Sequence, residues 1–222
     1  MRFYPVFLKV EGKKCVVVGG GTVALRKAKM LLACGAEVTV VSPEFDAGFS
    51  KSGRKNTLRL IHRNYRAGDL RGATVVIAAT GLERINHKVA RDAASVKGLV
   101  NVVDDPKHSD FIVPSSFRRG DLTVAISTGG LSPALSKKLR KRLESTIGKD
   151  FGTLLSLVAS VRARMRGQGF SVRGEDWQRT LDLDQLLDLV QRKEHRKAET
   201  LLLSNLTGGS SGPYTRERRG FK

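Results

Sequence analysis

Apolar and polar positions in the first half of the chain switch between two periods. The β-branched runs Cys15-Val16-Val17-Val18 and Glu37-Val38-Thr39-Val40-Val41 bracket a segment, Leu25 to Leu32, whose apolar residues recur at helical spacing. That order predicts strand, helix, strand. The alternation then continues. Leu58 to Ile61 reads as a short strand, Thr74 to Thr80 as a strand apolar on both faces, Asn86 to Ala94 as a helix and Leu99 to Val103 as the next strand. Two further strands are expected at Asp110 to Val113 and Leu122 to Ser127. Crossovers of this kind imply a mostly parallel sheet with its ligand crevice at the carboxyl ends of the strands. From Phe151 the pattern turns helical. Leu154, Leu155, Leu157, Val158 and Val161 form one amphipathic stripe, Leu181 to Val190 and Ala198 to Leu203 form two more, and a loop is expected around Gly167 to Gly174.

The break between the first strand and its helix carries the chemistry. Gly19, Gly20 and Gly21 follow the strand, and Thr22, Val23 and Ala24 begin the helix. In a dinucleotide-binding turn the first glycine allows the tight exit from the strand. Gly21 lets backbone approach the pyrophosphate, and Ala24 in the third motif position keeps the helix close to the sheet. Free N–H groups at the helix start then face the anion, aided by the helix dipole. The second strand ends in Ser42, Pro43 and Glu44, with Ser42 or Glu44 available to a ribose and no Arg or Lys for a 2′-phosphate. The expected cofactor is therefore NAD. Thr80 and Asp104 stand at the ends of other strands and join the candidate crevice.

A second glycine turn, Gly129-Gly130, precedes Ser132 as helix N-cap and Pro133 in the first turn of a helix running to about Ile147. Ser127, Thr128 and the backbone of Gly129 and Gly130 suit either a second anion site or an ordinary capped helix. Leu135, Leu139, Leu143 and Ile147 make an apolar stripe on that helix, suited to a neighbouring element or a second subunit. The fold class is thus α/β, a Rossmann-type parallel sheet followed by a dimerisation segment and a small C-terminal helical domain. The expected divisions are 1–113, 114–149, 150–206 and a flexible basic tail at 207–222.

Charge adds one constraint. The formal net charge is +19, with a cluster at Lys137, Lys138, Arg140, Lys141 and Arg142. Such a balance favours polyanionic partners, a nucleic acid or a polycarboxylate among them, although a solvated surface needs no partner at all. Cys15 and Cys34 lack C-x-x-C spacing and read as buried reduced thiols. The N-terminus is too short and interrupted for a signal peptide, no apolar run could span a bilayer, and a cytoplasmic protein is expected. His62, His87, His108 and His195 show no ligand spacing, so no permanent metal site is expected and His108 reads as a surface-loop residue.

The segments Tyr4-Pro5-Val6-Phe7, Val16 to Lys27, Ala78-Ala79-Thr80, Asn101-Val102-Val103-Asp104, Phe111-Ile112-Val113-Pro114 and Val124 to Pro133 resemble, in this order, the precorrin-2 dehydrogenase and sirohydrochlorin ferrochelatase family. That family also forms the N-terminal part of sirohaem synthase. The resemblance covers about two-thirds of the chain and is weakest in the C-terminal helices. With no room for a methyltransferase half, the chain looks like the stand-alone form. The resemblance implies NAD-dependent oxidation of precorrin-2 to sirohydrochlorin, an intertwined homodimer, and in some members insertion of ferrous iron as a substrate. It places NAD contacts on Thr22, Val23, Pro43 and Glu44, and substrate contacts on Asn101 and the Ser127 to Gly130 turn. It also implies that Asp104 is the catalytic base. A carboxylate at a strand end is suited to that task, and Asp105, which precedes Pro106 and is held extended, is its local competitor. The substrate carries eight carboxylates, which gives a basic cleft a purpose. Two other readings use the glycine turn differently: an NAD-sensing nucleic-acid-binding regulator, for which no helix-turn-helix signature is seen, and a regulatory domain of a transporter.

Overall fold

The computed structural model describes residues 3–50, 57–207 and 214–216. The chain divides into two compact units, Met1–Val113 with Gly129–Leu131, and Pro114–Thr128 with Ser132–Lys222.

The first unit is a five-stranded parallel sheet in the order β3-β2-β1-β4-β5, with β1 at Lys14–Val18, β2 at Glu37–Ser42, β3 at Leu58–His62, β4 at Val75–Ala78 and β5 at Leu99–Val102. Strand β4 is apolar at every position and β1 is apolar from Cys15 to Val18, because both faces are covered there. Cys15 and Val17 pack on one side with Ala24 and Ala28 of helix α1 (Thr22–Ala33), whereas Val16 and Val18 pack on the other with Val89 and Ala93 of helix α2 (Glu83–Ser95). Each fully buried valine contributes roughly 1.5–3 kcal/mol. The two cysteines differ: Cys15 is fully buried, its thiol pushed up to about 11 by burial, but Cys34 caps the end of α1 and is exposed. The expectation of two buried thiols is corrected for Cys34.

Asp110 to Val113 is not a strand. The segment runs beside β5, where a single backbone bond, Asp110 N–H to the Val100 carbonyl at 2.8 Å, is supplemented by side chains. The Asp110 carboxylate accepts from Val100 N–H at 2.9 Å, Ser109 Oγ accepts from Val102 N–H at 2.9 Å, and Asn101 Nδ2 donates to the Phe111 carbonyl at 2.9 Å. Side-chain oxygens thereby satisfy the edge that a sixth strand would have paired.

The second unit opens with an antiparallel hairpin of β6 (Ser115–Arg119) and β7 (Leu122–Ile126). The strand expected at Leu122 to Ser127 therefore forms, but outside the parallel sheet. Helix α3 (Pro133–Thr146) starts as its caps predict, with Ser132 Oγ accepting from Leu135 N–H at 3.2 Å and Pro133 in the first turn. At its other end the Arg119 guanidinium donates to the Glu144 and Ile147 carbonyls at 2.8 and 3.0 Å, satisfying groups a helix end leaves open. Helices α4 (Asp150–Gly167), α5 (Gly174–Thr180), α6 (Leu183–Gln191) and α7 (His195–Thr207) enclose a core that includes Leu154, Val161, Met165, Leu186 and Leu202. Within the span expected to be a loop, β8 (Phe170–Val172) forms, and it pairs with β9 (Tyr214–Arg216). Those three positions of β9 belong to the expected tail. Residues 208–213 and 217–222 of the expected tail lie outside the described residues. Among the described residues no helix is long and apolar enough to cross a membrane.

Candidate functional site

In the first unit the carboxyl ends of β1, β2 and β4 meet at the glycine turn, and each glycine is required for a different reason. Gly19 has φ +119, and a Cβ there would stand 2.3 Å from the Ala79 carbonyl oxygen. A Cβ on Gly20 would lie 1.9 Å from the Glu44 carbonyl oxygen and 2.7 Å from Ser42 Oγ. These two glycines let the turn nest between β4 and the end of β2. Gly21 is different. It is the N-cap of α1, in extended backbone with φ −77, exposed, with no side-chain cap and nothing within 4 Å of a notional Cβ. The N–H groups of Thr22, Val23 and Ala24 open the helix and lack intrahelical acceptors. Ala24 is fully buried against the sheet. An open helix N-terminus backed by a fixed turn is what a pyrophosphate requires.

Ser42 is buried beneath Gly20, so its role in the turn is packing, while Pro43 and Glu44 are exposed at the rim. Arg63, just after β3, donates its backbone N–H to the Ser42 carbonyl at 3.1 Å. Its guanidinium is engaged, donating to both Asp69 oxygens at 2.9 and 2.5 Å.

Thr80 leaves β4 in a closed exchange with the buried Asn86 of α2. Its N–H donates to Asn86 Oδ1 at 3.1 Å, and Asn86 Nδ2 donates to its carbonyl at 3.0 Å. This fixes the floor under Gly19. Asn101 lies within β5, buried, with its amide on Phe111. Its geometry is that of a strand-edge tie, and the expected substrate contact has no exposed group behind it.

Asp104 follows β5 in a tight turn closed by Asp105 N–H on the Val102 carbonyl at 3.2 Å. It is exposed and left-handed, at φ +60, a conformation Asp tolerates better than most residues. Lys27 of α1 stands in its field. Burial and then the neighbouring Arg26 pull the Lys27 ammonium below its ordinary range, and the Asp104 carboxylate opposes them. Lys27 was not among the expected site residues, and only the folded register of α1 against the end of β5 reveals it.

One further cluster was absent from the sequence reading. Asp105, at φ −129 and ψ 85, falls short of the extended backbone expected before a proline and caps the short 3-10 turn Pro106–His108. Its Oδ1 accepts from the Lys107 and His108 N–H groups at 3.1 and 3.3 Å, and Oδ2 meets His108 Nδ1 at 2.6 Å and His87 Nε2 of α2 at 3.0 Å. The hydrogen bond with His108, ahead of that with His87, holds the Asp105 carboxyl down at about 2. His108 is thus no isolated loop histidine.

In the second unit the Thr128 hydroxyl accepts from Ser132 N–H and donates to the Ser132 carbonyl, both at 3.1 Å. Gly129 and Gly130, which count with the first unit, take φ +65 and +88, so the turn demands glycine. On Leu135, Leu139 and Leu143 the apolar stripe of α3 is left exposed.

Residues 6–115 match a family model described as NAD(P)-binding, and residues 119–146 match one described as sirohaem biosynthesis protein, central. The chain is 39% identical over 213 residues to Siroheme synthase 2 of Aeromonas salmonicida, covering 95% of this chain and 44% of that protein. It is 35% identical over 211 residues to Siroheme synthase of Nitrosococcus oceani, covering 94% and 45%. It therefore spans less than half the length of these relatives. A solved structure titled SirC, precorrin-2 dehydrogenase, is 28% identical with a TM-score of 0.69, covering 89% of this chain and 99% of that one.

Proposed function

The chain belongs to the sirohaem-biosynthesis family of the siroheme synthases and precorrin-2 dehydrogenase, and on that premise we propose that it oxidises precorrin-2 to sirohydrochlorin with NAD. The observation that carries this reading is the pairing, within one unit, of an anion-ready helix N-terminus at Gly21 with an exposed carboxylate, Asp104, after β5. Loss of two hydrogens from the macrocycle means loss of a hydride and a proton, and bound NAD supplies the hydride acceptor. Asp104 receives the proton on its carboxylate, an acid–base contribution of roughly 10²–10⁴ in rate. Lys27 is a positioning residue whose ammonium is coupled electrostatically to the Asp104 carboxylate. Thr22, Val23 and the open N–H groups hold the pyrophosphate, and Glu44 takes the ribose side. Selection of NAD over its 2′-phosphorylated form follows from the engagement of Arg63 with Asp69.

The net charge of +19 suits a polycarboxylate substrate. The Ser127 to Gly130 turn supplies contacts to it, and ferrous iron is a candidate second substrate. The exposed leucines of α3 suit a homodimer, and a reducing cytoplasmic setting fits the two free thiols. The test is anaerobic turnover of precorrin-2 with NAD by the unsubstituted chain and by Asp104→Asn. Asparagine also tolerates the left-handed backbone, so the variant removes the base and keeps the turn. The expected result is a fall in kcat of roughly a hundredfold or more with NADH affinity kept. Full activity in the variant would remove Asp104 from the chemistry. No turnover by a folded, NADH-binding wild-type chain would remove the dehydrogenase reading itself.

A further inference from the structure

Among the described residues outside the dinucleotide turn, one set of titratable groups converges in a way that its structural task does not explain. Asp105 needs one oxygen to cap its 3-10 turn, and Oδ1 alone takes both backbone N–H groups. Oδ2 is left facing two imidazoles, His87 Nε2 at 3.0 Å and His108 Nδ1 at 2.6 Å, whose ring centroids lie 4.1 Å apart. The three candidate donor atoms all fall within 4.8 Å of one another.

Two neutral imidazoles and one carboxylate are the donor set of a mononuclear site for a first-row divalent metal. Adjacent ligands at about 2.1 Å on an octahedral ion stand about 3.0 Å apart, and on a tetrahedral ion about 3.4 Å. On an octahedral ion the 3.0 Å separation already fits and the 2.6 Å one opens by about 0.4 Å, whereas a tetrahedral ion needs openings of about 0.4 and 0.8 Å. The surroundings favour a cation further. The backbone N–H groups on Oδ1 fix the carboxylate's orientation, as outer-shell partners of metal ligands do. Glu83, one turn before His87 on α2, places Oε1 3.6 Å from His87 Nε2 and is within reach as a fourth ligand. Access is open too, since the His108 side chain is 49% exposed and that of Glu83 is 85% exposed.

We propose that His87, Asp105 and His108 bind one first-row divalent cation of the Fe2+, Co2+, Ni2+ or Zn2+ type, leaving ligand positions open. The two nitrogen donors select against Mg2+ and Ca2+, which prefer all-oxygen shells. Binding displaces the ring proton from whichever nitrogen points at Oδ2, and each histidine coordinates as the neutral imidazole. The site does not depend on the dehydrogenase reading, although it lies one residue from Asp104.

The test is an anaerobic titration of the full chain, free of NAD and precorrin-2, with Co2+ as probe, following its visible ligand-field band. One band saturating at one equivalent per chain is expected, undisturbed by excess Mg2+. His108→Ala and His87→Ala should each weaken Co2+ binding roughly tenfold or more, while His195→Ala, which alters an exposed histidine of α7, leaves it unchanged. Thermal unfolding of each variant checks that it folds. Absence of a saturable band in the wild-type chain would overturn the proposal whatever the variants do. So would a band that survives both His87→Ala and His108→Ala, or one displaced by Mg2+. Precorrin-2 oxidation assayed separately on the same protein keeps the two readings apart.

Discussion

Gly20 and Gly21 are neighbours of one residue type, and the structure predicts opposite consequences for the same substitution. At Gly21 the backbone is extended, at φ −77 and ψ −176, and a Cβ meets nothing within 4 Å. Placing alanine at a helix N-cap costs about 0.5–1 kcal/mol, and the lower entropy of the unfolded chain returns about 0.4–1 kcal/mol. Gly21→Ala should therefore leave stability unchanged to within about 0.5 kcal/mol. Its methyl group, however, fills the approach to the helix N-terminus, so NADH affinity should fall at least tenfold, or about 1.4 kcal/mol. At Gly20 the same methyl group would sit 1.9 Å from the Glu44 carbonyl oxygen and 2.9 Å from Ser42 Cβ. Neither can swing aside, because one is backbone and the other is buried at the end of β2. Overpacking of this kind costs about 3 kcal/mol, which for a chain of this length lowers Tm by roughly 6–12 °C. Thermal unfolding without ligand and fluorescence titration with NADH separate the two effects. If Gly21→Ala bound NADH as tightly as the unsubstituted chain, the helix N-terminus would not be the pyrophosphate site. If it unfolded as early as Gly20→Ala, the open space at Gly21 would be wrong.

Two further outcomes follow from buried polar groups. Asn86→Ala deprives the Thr80 N–H and carbonyl of their partners and should cost about 1–3 kcal/mol in denaturant unfolding; a loss under half of the lower figure would mean that water replaces the amide. Asp69, whose side chain is 7% exposed, is held below the usual carboxylate range, first by its hydrogen bond with Arg63. A depressed folded value stabilises above the unfolded value of about 3.9 and is lost as pH falls through the folded one. Asp69→Asn should thus be less stable than the unsubstituted chain at pH 7, with the gap closing below about pH 4. A gap that stayed constant into acid would show that the pair contributes nothing through ionisation.

What could be read from the chain beforehand depended on whether a residue's task is local or tertiary. The strands β1 and β4 announce themselves because burial on both faces leaves no polar interruption, and α3 because Ser132 and Pro133 mark its start within four residues. Strand β6 gave no such signal: in Ser115-Ser116-Phe117-Arg118-Arg119 only Phe117 is buried, so its pairing with β7 rests on backbone bonds that composition does not record. Asp110 to Val113 failed in the opposite sense. Its apolar run looks like a strand, yet Ser109, Asp110 and Asn101 satisfy that edge with side chains. The metal-type cluster combines both problems. Asp105 and His108 lie three apart and could have been read as a local pair, but His87 reaches them from α2, eighteen residues before Asp105. What joins them is the left-handed turn at Asp104, φ +60, closed by the Asp105 N–H on Val102. The backbone conformation that presents the Asp104 carboxylate after β5 is thus the same one that brings Asp105 round to α2. Substitution of Asp104 by a residue that resists φ > 0, such as valine, would disturb both features at once, whereas asparagine disturbs only the charge. That difference makes the choice of variant decisive: a valine result alone would leave base chemistry and turn geometry confounded, and the asparagine result separates them.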